Sequence, residues 1–209
     1  MILSELNSIF WIQKNSTSGA KFGDLTVKKQ DKSRAGNFRY RKRMRFFTPD
    51  SLSVLSEINL NGQQRILDVG CASGELLKKL ASLLPGGEFH GVDVNAKIVR
   101  KNEGKFPNGN IQFHRASADE LPFENDYFDL VICTNALHKF PYRVRALDEM
   151  YRVLKPGGEC IILEGISDKT WKNKFDKILR QSKFIRPLKK YLPRTALFRK
   201  SYLVKYRKL

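Results

Sequence analysis

The chain has 209 residues, 41% of them hydrophobic, and a formal net charge of +18, enough for one sizeable core and one domain. No apolar run approaches the roughly 20 residues of a membrane-spanning helix, so no span is expected. The three cysteines have no C-x-x-C spacing, so neither a zinc site nor a disulfide framework is indicated, and buried free thiols favour a reducing, cytoplasmic compartment.

The charge is distributed unevenly along the chain. Residues 61–165 carry 13 basic and 14 acidic side chains, residues 1–60 carry 11 and 5, and residues 166–209 carry 15 and 2. A nearly neutral central region with strongly basic flanks predicts an anionic partner, either RNA or an anionic membrane surface. The alternative is a solvated, lysine-rich face with no partner.

The first 47 residues are predicted to form a basic amino-terminal extension. Residues 1–12 carry apolar side chains at a spacing that favours a short amphipathic helix, packed on the domain or lying on a membrane. Residues 13–45 are polar and basic, and this composition argues for weak order without a partner. Helix start signals follow at Thr48-Pro49-Asp50.

The segment from Arg65 to Leu76 predicts a ligand site at the end of a strand. It reads as a buried strand, a turn with Gly70 and Gly74, and a helix rich in leucine. A dinucleotide site would show G-x-G-x-x-G, whereas here the spacing is G-x-x-x-G and Asp68 stands just before the turn. A carboxylate at this position would repel a pyrophosphate and favour a cationic ligand.

These residues resemble the first motif of class I S-adenosylmethionine-dependent methyltransferases, in which a third glycine is more frequent at the position of Ala72. The resemblance implies an α/β fold with a doubly wound, mostly parallel sheet and helices on both faces. It also implies S-adenosylmethionine as cofactor and a core over residues 48–165. In such enzymes the segment ahead of this motif often closes over the cofactor, so residues 1–47 are a candidate lid.

The second predicted strand ends at Asp93, whose carboxylate can accept two hydrogen bonds from a ribose diol. Enzymes that use NAD rely on the same chemistry, so Asp93 alone leaves the cofactor open. A helix over about 95–105 and a third strand over 111–114 follow. Residues 117–123 resemble the third motif of the family, and this resemblance places Ser117, Ala118 and Asp119 beside the adenine.

The fourth strand is predicted over 128–133, and Cys133 at its end is interpreted chiefly as a small core residue. His138, on the following loop, is the candidate catalytic base, with a loop-packing histidine as the alternative. Together with the residues above, the expected cofactor-binding set is Asp68, Gly70, Cys71, Ala72, Gly74, Asp93, Val94, Ser117, Ala118, Asp119 and Cys133. No metal ligands are predicted.

The remaining elements complete the predicted domain. Residues 145–154 form a helix that Pro156-Gly157-Gly158 terminates, and residues 159–164 form the fifth strand. Residues 166–209 are predicted to add a basic helix over the apolar stripe from Trp171 to Leu192, then a closing strand over 201–206. We expect that strand to pair with residues 196–198.

The resemblance implies methyl transfer from S-adenosylmethionine to a small-molecule, lipid or quinone-like acceptor. Three alternatives remain open from the sequence. The basic flanks suit an RNA methyltransferase, the absence of a certain catalytic residue suits a cofactor-binding protein without activity, and Asp93 also suits an NAD-linked enzyme. The acceptor and the oligomeric state are not indicated by any motif.

Overall fold

A run of short apolar strands alternates with amphipathic helices in the central part of the chain. The structure is a computed structural model that describes residues 53–106, 109–166, 169–184, 188–192 and 200–209. The strands are β1 (Arg65–Val69), β2 (Glu88–Asp93), β3 (Ile111–Arg115), β4 (Phe128–Thr134), β5 (Leu154–Ile166), β6 (Leu188–Leu192) and β7 (Lys200–Arg207). The helices are α1 (Glu75–Leu83), α2 (Ala96–Lys105), α3 (Arg143–Val153) and α4 (Lys169–Gln181).

The strands form one seven-stranded sheet in the order β3-β2-β1-β4-β5-β7-β6. Strands β1 to β5 are parallel to one another, while β7 runs antiparallel to both β5 and β6. The order reverses between β1 and β4, and the crevice beyond the carboxyl ends of the strands at such a point is where open α/β sheets bind ligands. The doubly wound, mostly parallel fold predicted from the sequence is confirmed.

Two apolar layers cover the sheet, one on each face. Leu76, Leu77 and Leu80 of α1, with Val99 of α2, pack on one face. On the other face, α3 contributes Leu147 and Met150, and α4 contributes Phe175, to the larger cluster. Because both faces are buried, the central strands are apolar at nearly every position, as the sequence indicated.

A pair of histidines, His90 buried and His114 half-buried, joins β2 to β3 on the α3 face of the sheet. His90 is 4% exposed, and its Nδ1 lies 3.0 Å from Nε2 of His114. Its Nε2 lies 2.7 Å from a carboxylate oxygen of Glu88, which also accepts a hydrogen bond from the Tyr127 hydroxyl. Burial lowers the pKa of His114. His90 therefore fills the strand as a hydrogen-bonded core residue rather than serving as a ligand.

The structure departs from prediction at two places, one in the carboxyl-terminal segment and one at the start of β5. Leu188–Leu192, expected as helix, is strand β6, which pairs antiparallel with β7. Strand β5 begins at Leu154, so the predicted helix-terminating glycines lie within it, and Gly157 N–H donates to the Lys208 carbonyl. The expected partner segment over 196–198 lies outside the described residues.

Two further expectations concern the amino-terminal side. The helix predicted after Thr48 is seen, over the described residues, as a 3-10 helix at Ser53–Glu57 whose Val54 is fully buried. Residues 1–52, including the candidate lid and the segment that starts at Thr48, lie outside the described part. None of the described helices is long and apolar enough to span a membrane.

Candidate active site at the carboxyl ends of β1, β2 and β4

The loop between β1 and α1 reverses the chain within five residues. Gly70, Ala72 and Gly74 adopt φ angles of 80°, 46° and 71°, in the left-handed region that favours glycine. This explains why a glycine is the more frequent residue where this chain has Ala72. The amides of Gly70 and Cys71 both donate to the Val92 carbonyl, at 2.8 and 3.0 Å, so the loop is anchored to β2.

Two glycines of this loop lie where a side chain would collide with a neighbour. A Cβ on Gly70 would lie 2.5 Å from the Cβ of Ala136, on the loop after β4. A Cβ on Gly74 would lie 2.8 Å from the ring of Phe113. The glycine loop thus packs directly against the β4 loop, and the ends of β1 and β4 close one side of the candidate site.

Asp93, at the end of β2, faces the glycine loop. Its Oδ2 accepts a hydrogen bond from the Ala72 amide at 3.2 Å, and its Oδ1 accepts one from the Asn95 amide at 2.9 Å. Each carboxylate oxygen has a further lone pair, so two hydroxyl donors can still be accepted. The next residue, Val94, is a large apolar side chain that is 69% exposed.

Asp68, at the end of β1, is buried without a compensating partner. Its side chain is 2% exposed and its Oδ1 has no hydrogen-bond partner. Burial, and secondly the negative charge of Asp93, raise the pKa of Asp68 to about 7. A buried carboxyl group of this kind is destabilised in its charged form, and a cationic ligand would reverse that effect.

The loop after β3 carries the three residues expected at the adenine. The Ser117 hydroxyl donates to Oδ1 of Asp119, which leaves the Ser117 oxygen as an acceptor. Ala118 is 7% exposed and belongs to the core cluster, so any ligand contact from it would come from its backbone. This geometry is compatible with an exocyclic amino group that donates to Ser117.

The two cysteines in the expected cofactor set are core residues. Cys133 is fully buried, and Cys71 packs its sulfur against Gly91, 2.9 Å from the position of a Cβ there. Burial raises the pKa of both thiols above their ordinary value. Neither is a nucleophile, and a contact from Cys133 to a ligand would have to come from its backbone.

His138 lies on a 3-10 turn after β4 and is paired with a buried acid. Its Nδ1 is 2.8 Å from Oε2 of Glu164, which is fully buried at the end of β5. The His138 amide donates to the other Glu164 oxygen at 3.3 Å. Glu164 therefore orients the imidazole and favours the tautomer with its proton on Nδ1, which assigns any acid–base role to Nε2.

Three residues that the sequence analysis missed hold these loops in place. Glu164 was seen only as the end of a strand. Asn135, with φ 51°, accepts the Gly165 amide through its side chain at 3.0 Å and so joins the ends of β4 and β5. Asn102, 2% exposed on α2, donates to the Ala72 carbonyl at 2.7 Å. An asparagine on the apolar side of a helix is the signal that could have revealed it.

Comparison with known proteins identifies the central region. A family model described as a methyltransferase domain matches residues 67–162. The ubiquinone/menaquinone biosynthesis C-methyltransferase of Proteus mirabilis is 36% identical over 106 residues, 48% of this chain and 42% of that protein. Residues 67–162 form a class I S-adenosylmethionine-dependent methyltransferase domain. The chain nevertheless spans less than half the length of the curated relatives it matches.

Solved structures agree with the fold of the methyltransferase domain. An S-adenosylmethionine-dependent methyltransferase from Aquifex aeolicus has a TM-score of 0.66 at 19% identity and covers 87% of this chain and 100% of its own. Phosphoethanolamine N-methyltransferase 2 of Haemonchus contortus, solved with S-adenosyl-L-methionine, has a TM-score of 0.63 at 16% identity, over 76% of this chain and 52% of its own. At these identities the likeness shows the fold.

The residues of the methyltransferase domain fit its cofactor, S-adenosylmethionine. Asp68 offers an unpartnered buried carboxylate oxygen to a cationic ligand, and Asp93 retains acceptor capacity for a diol. Gly70 and Gly74 occupy positions that admit no side chain. Among the described residues there is no group of three potential metal ligands.

Proposed function

We propose that this protein transfers the methyl group of S-adenosylmethionine to a small, apolar acceptor of the quinone or lipid type. The observation that carries the proposal is the pair Asp68 and Asp93 at adjoining strand ends, joined through the glycine loop of a methyltransferase domain. The acceptor class is supported by the curated relatives, which are ubiquinone/menaquinone C-methyltransferases and are matched over part of their length.

In this proposal each side chain has a separate task. S-adenosylmethionine supplies a methyl group activated by a sulfonium charge. Asp93 accepts hydrogen bonds from the ribose hydroxyls, and Asp68 faces the positively charged part of the ligand. Ser117 and Asp119 border the adenine, with Val94 packing on its face. Because methyl transfer is an in-line displacement, the main contribution of these residues is orientation.

His138 is proposed as the base that removes a proton from the acceptor. Glu164 holds Nδ1 at 2.8 Å, and the turn that bears His138 follows β4, whose end adjoins that of β1. A carbon acceptor must lose a proton when it gains a methyl group. Nε2 of His138 can take that proton, and Glu164 would stabilise the imidazolium that forms.

Replacing His138 with Gln should lower kcat by about 10²–10⁴ because the general base is lost, while the affinity for S-adenosylmethionine stays the same. Steady-state kinetics with calorimetry for the cofactor would measure both quantities. Lys139→Gln, an exposed change on the same turn, is the matched control and should leave kcat unchanged. If the kcat of His138→Gln equals that of this control, His138 is a loop-packing residue and not the base.

RNA methylation is the second candidate, because residues 166–209 carry 15 basic and 2 acidic side chains. Part of that charge is engaged within the sheet. Lys205 and Arg207 of β7 both pair with Glu159, at 2.7 and 2.8 Å, and Lys208 pairs with Asp126 at 2.6 Å. These contacts favour packing of the terminal strand over nucleic-acid binding by the same residues.

The decisive experiment is transfer of labelled methyl from S-adenosylmethionine into a cell extract that is then separated into RNA, protein, lipid and small-molecule pools. We expect label in the lipid or small-molecule pool. Asp93→Ala protein, which should bind the cofactor poorly, is the control for transfer by contaminating enzymes.

Other results of this assay, together with two binding measurements, would favour the alternative candidates. Label in RNA would overturn the proposed acceptor class and make the basic flanks a substrate-binding surface. Cofactor binding by calorimetry without label in any pool would indicate a binding protein without activity. A thermal shift with NAD in place of S-adenosylmethionine would indicate an NAD-linked enzyme.

A further inference from the structure

A surface groove lies between the amino-terminal part of α3 and the outer side of α4. Seven residues line it: Pro141, Tyr142, Arg143, Val144, Arg145, Lys174 and Ile178. Three of them are positively charged and none is acidic. Pro141, Val144 and Ile178 form an apolar floor, and Tyr142 is 60% exposed at the rim.

The acids of α3 and α4 make their close contacts outside the groove, while the hydrogen bond from Arg152 and, to a smaller extent, the charge of Arg145 hold the pKa of Glu149 below its usual value. Asp148 accepts from the Lys183 amide at 2.9 Å, and Glu149 pairs with Arg152 at 2.7 Å. Asp176 accepts from the Tyr202 hydroxyl at 3.1 Å, on the inner side of α4. The exposed cations at the groove, Arg145 and Lys174, therefore set the sign of its potential.

The start of α3 adds to this potential. Its first turn contains two arginines and no acidic residue, and Tyr142 at the cap makes no side-chain hydrogen bond to the helix. The amino terminus of a helix carries a partial positive charge, so cations there are unfavourable unless an anion is present. Lys177, one turn beyond Lys174 on the exposed side of α4, extends the same basic surface.

We propose that this groove docks the protein on an anionic phospholipid surface. Arg145 and Lys174 would contact headgroup phosphates, and Tyr142 would enter the interfacial layer above the apolar floor. A charged rim, an exposed aromatic ring and an apolar base together match the chemistry of a lipid–water interface. Basic residues beside an exposed aromatic ring also occur on RNA-binding surfaces, so the apolar lining by Pro141, Val144 and Ile178 is the feature that favours lipid over RNA.

The groove is joined to the candidate active site. Nη2 of Arg143 donates to the carbonyl of His138 at 2.7 Å, so one lining residue holds the turn that carries the proposed base. Docking through this groove would bring the acceptor side of the enzyme to the membrane. The docking itself does not depend on the proposed methyl transfer, because lipid binding is measured without turnover.

The test is sedimentation of the full chain with vesicles of phosphatidylcholine alone and vesicles containing about one third phosphatidylglycerol. We expect binding to the second kind only. The double variant Arg145→Glu/Lys174→Glu should bind at least about 30-fold more weakly, since each basic residue near an anionic surface contributes about a factor of five to ten.

Lys78→Glu/Lys101→Glu is the matched control, because it makes the same charge change at exposed positions on α1 and α2, on the opposite face of the sheet. It should bind within about twofold of the unaltered chain, since its charges lie far from the groove. Tyr142→Ser should weaken binding to the anionic vesicles without changing net charge. Thermal unfolding of each variant checks that it is folded, and Arg145→Gln/Lys174→Gln replaces the reversal if that variant is not.

Three results would overturn the proposal. The first is equal loss of vesicle binding in the groove variant and the control. The second is a preference of the groove for single-stranded RNA over anionic vesicles, again judged against the control. The third is full competition by soluble glycerol phosphate with no effect of Tyr142→Ser, which would indicate a site for a free phosphorylated molecule.

Discussion

Asp93→Ala should weaken the binding of S-adenosylmethionine by about 1–3 kcal/mol, or roughly 5–150-fold, because it removes a charged acceptor that can bind two hydroxyl groups. The substitution also removes the partner of the Ala72 amide at 3.2 Å and that of the Asn95 amide at 2.9 Å. The glycine loop would lose its attachment to β2 through this side chain, so both ligand contact and preorganisation contribute to the loss.

Calorimetry at a pH above 7 would measure the effect, with thermal unfolding to confirm the fold. Asp93→Asn keeps the shape and one acceptor, so its affinity should lie between those of the unaltered protein and Asp93→Ala. Glu103→Gln, an exposed change on α2, controls for the loss of one negative charge. If Asp93→Ala binds S-adenosylmethionine as tightly as Glu103→Gln does, Asp93 does not contact the cofactor.

The central strands could be predicted because they are buried on both faces. The apolar runs that form β1, β2 and β4 leave little alternative to a parallel sheet covered by helices, and the turns between them carry glycine or a helix cap. The Asn95 side chain, for example, accepts the Lys97 amide at the start of α2. Such signals are local, and a single sequence displays them.

The carboxyl-terminal strands could not be predicted from local signals. Leu188 and Leu192 are four residues apart, a spacing that suits one face of a helix and, equally, one face of a strand. Their strand structure is decided by pairing with β7, which is itself held by eight register positions along β5. Strand β7 follows β6 closely in the chain, but its own partner β5 lies far earlier, so the sequence of residues 188–192 does not show that an edge of the sheet is available to them.

The residues of the candidate site also divide into those that local sequence signals indicate and those whose role depends on a distant partner. Asp68 and Asp93 could be predicted because each ends an apolar strand beside a glycine turn. Glu164 acquires its role only through His138, 26 residues earlier, and Asn102 only through Ala72, 30 residues earlier. The high pKa of Asp68 was equally hidden, because it arises from burial and from Asp93, neither of which the motif displays.

The raised pKa of Asp68 predicts that cofactor binding depends on pH. A raised folded-state pKa of about 7 means that Asp68 is largely protonated below pH 7 in the free protein. A cationic ligand favours the ionised form, so binding releases a proton. We expect the affinity for S-adenosylmethionine to fall by up to about tenfold per pH unit below 7 and to level off above it. Asp68→Asn should remove this dependence and should bind more weakly than the unaltered protein above pH 7.

Asp68 should also make folding stability depend on pH, in the opposite direction: the affinity for the cofactor rises with pH, whereas the free energy of unfolding of the ligand-free protein falls. Because the folded pKa lies above the ordinary value of 3.8, the stabilising contribution of protonated Asp68 is complete below that value and is lost as the pH rises to about 7. A tenfold difference in proton affinity between the folded and unfolded protein corresponds to about 1.4 kcal/mol, so the ligand-free protein should lose roughly 4 kcal/mol of unfolding free energy across this range from Asp68 alone. Asp68→Asn should therefore gain stability relative to the unaltered protein as the pH rises from about 5 to about 8, whereas Glu103→Gln should not. Denaturant unfolding across that range measures the difference, and parallel curves for Asp68→Asn and the unaltered protein would mean that Asp68 is already charged in the folded protein at low pH.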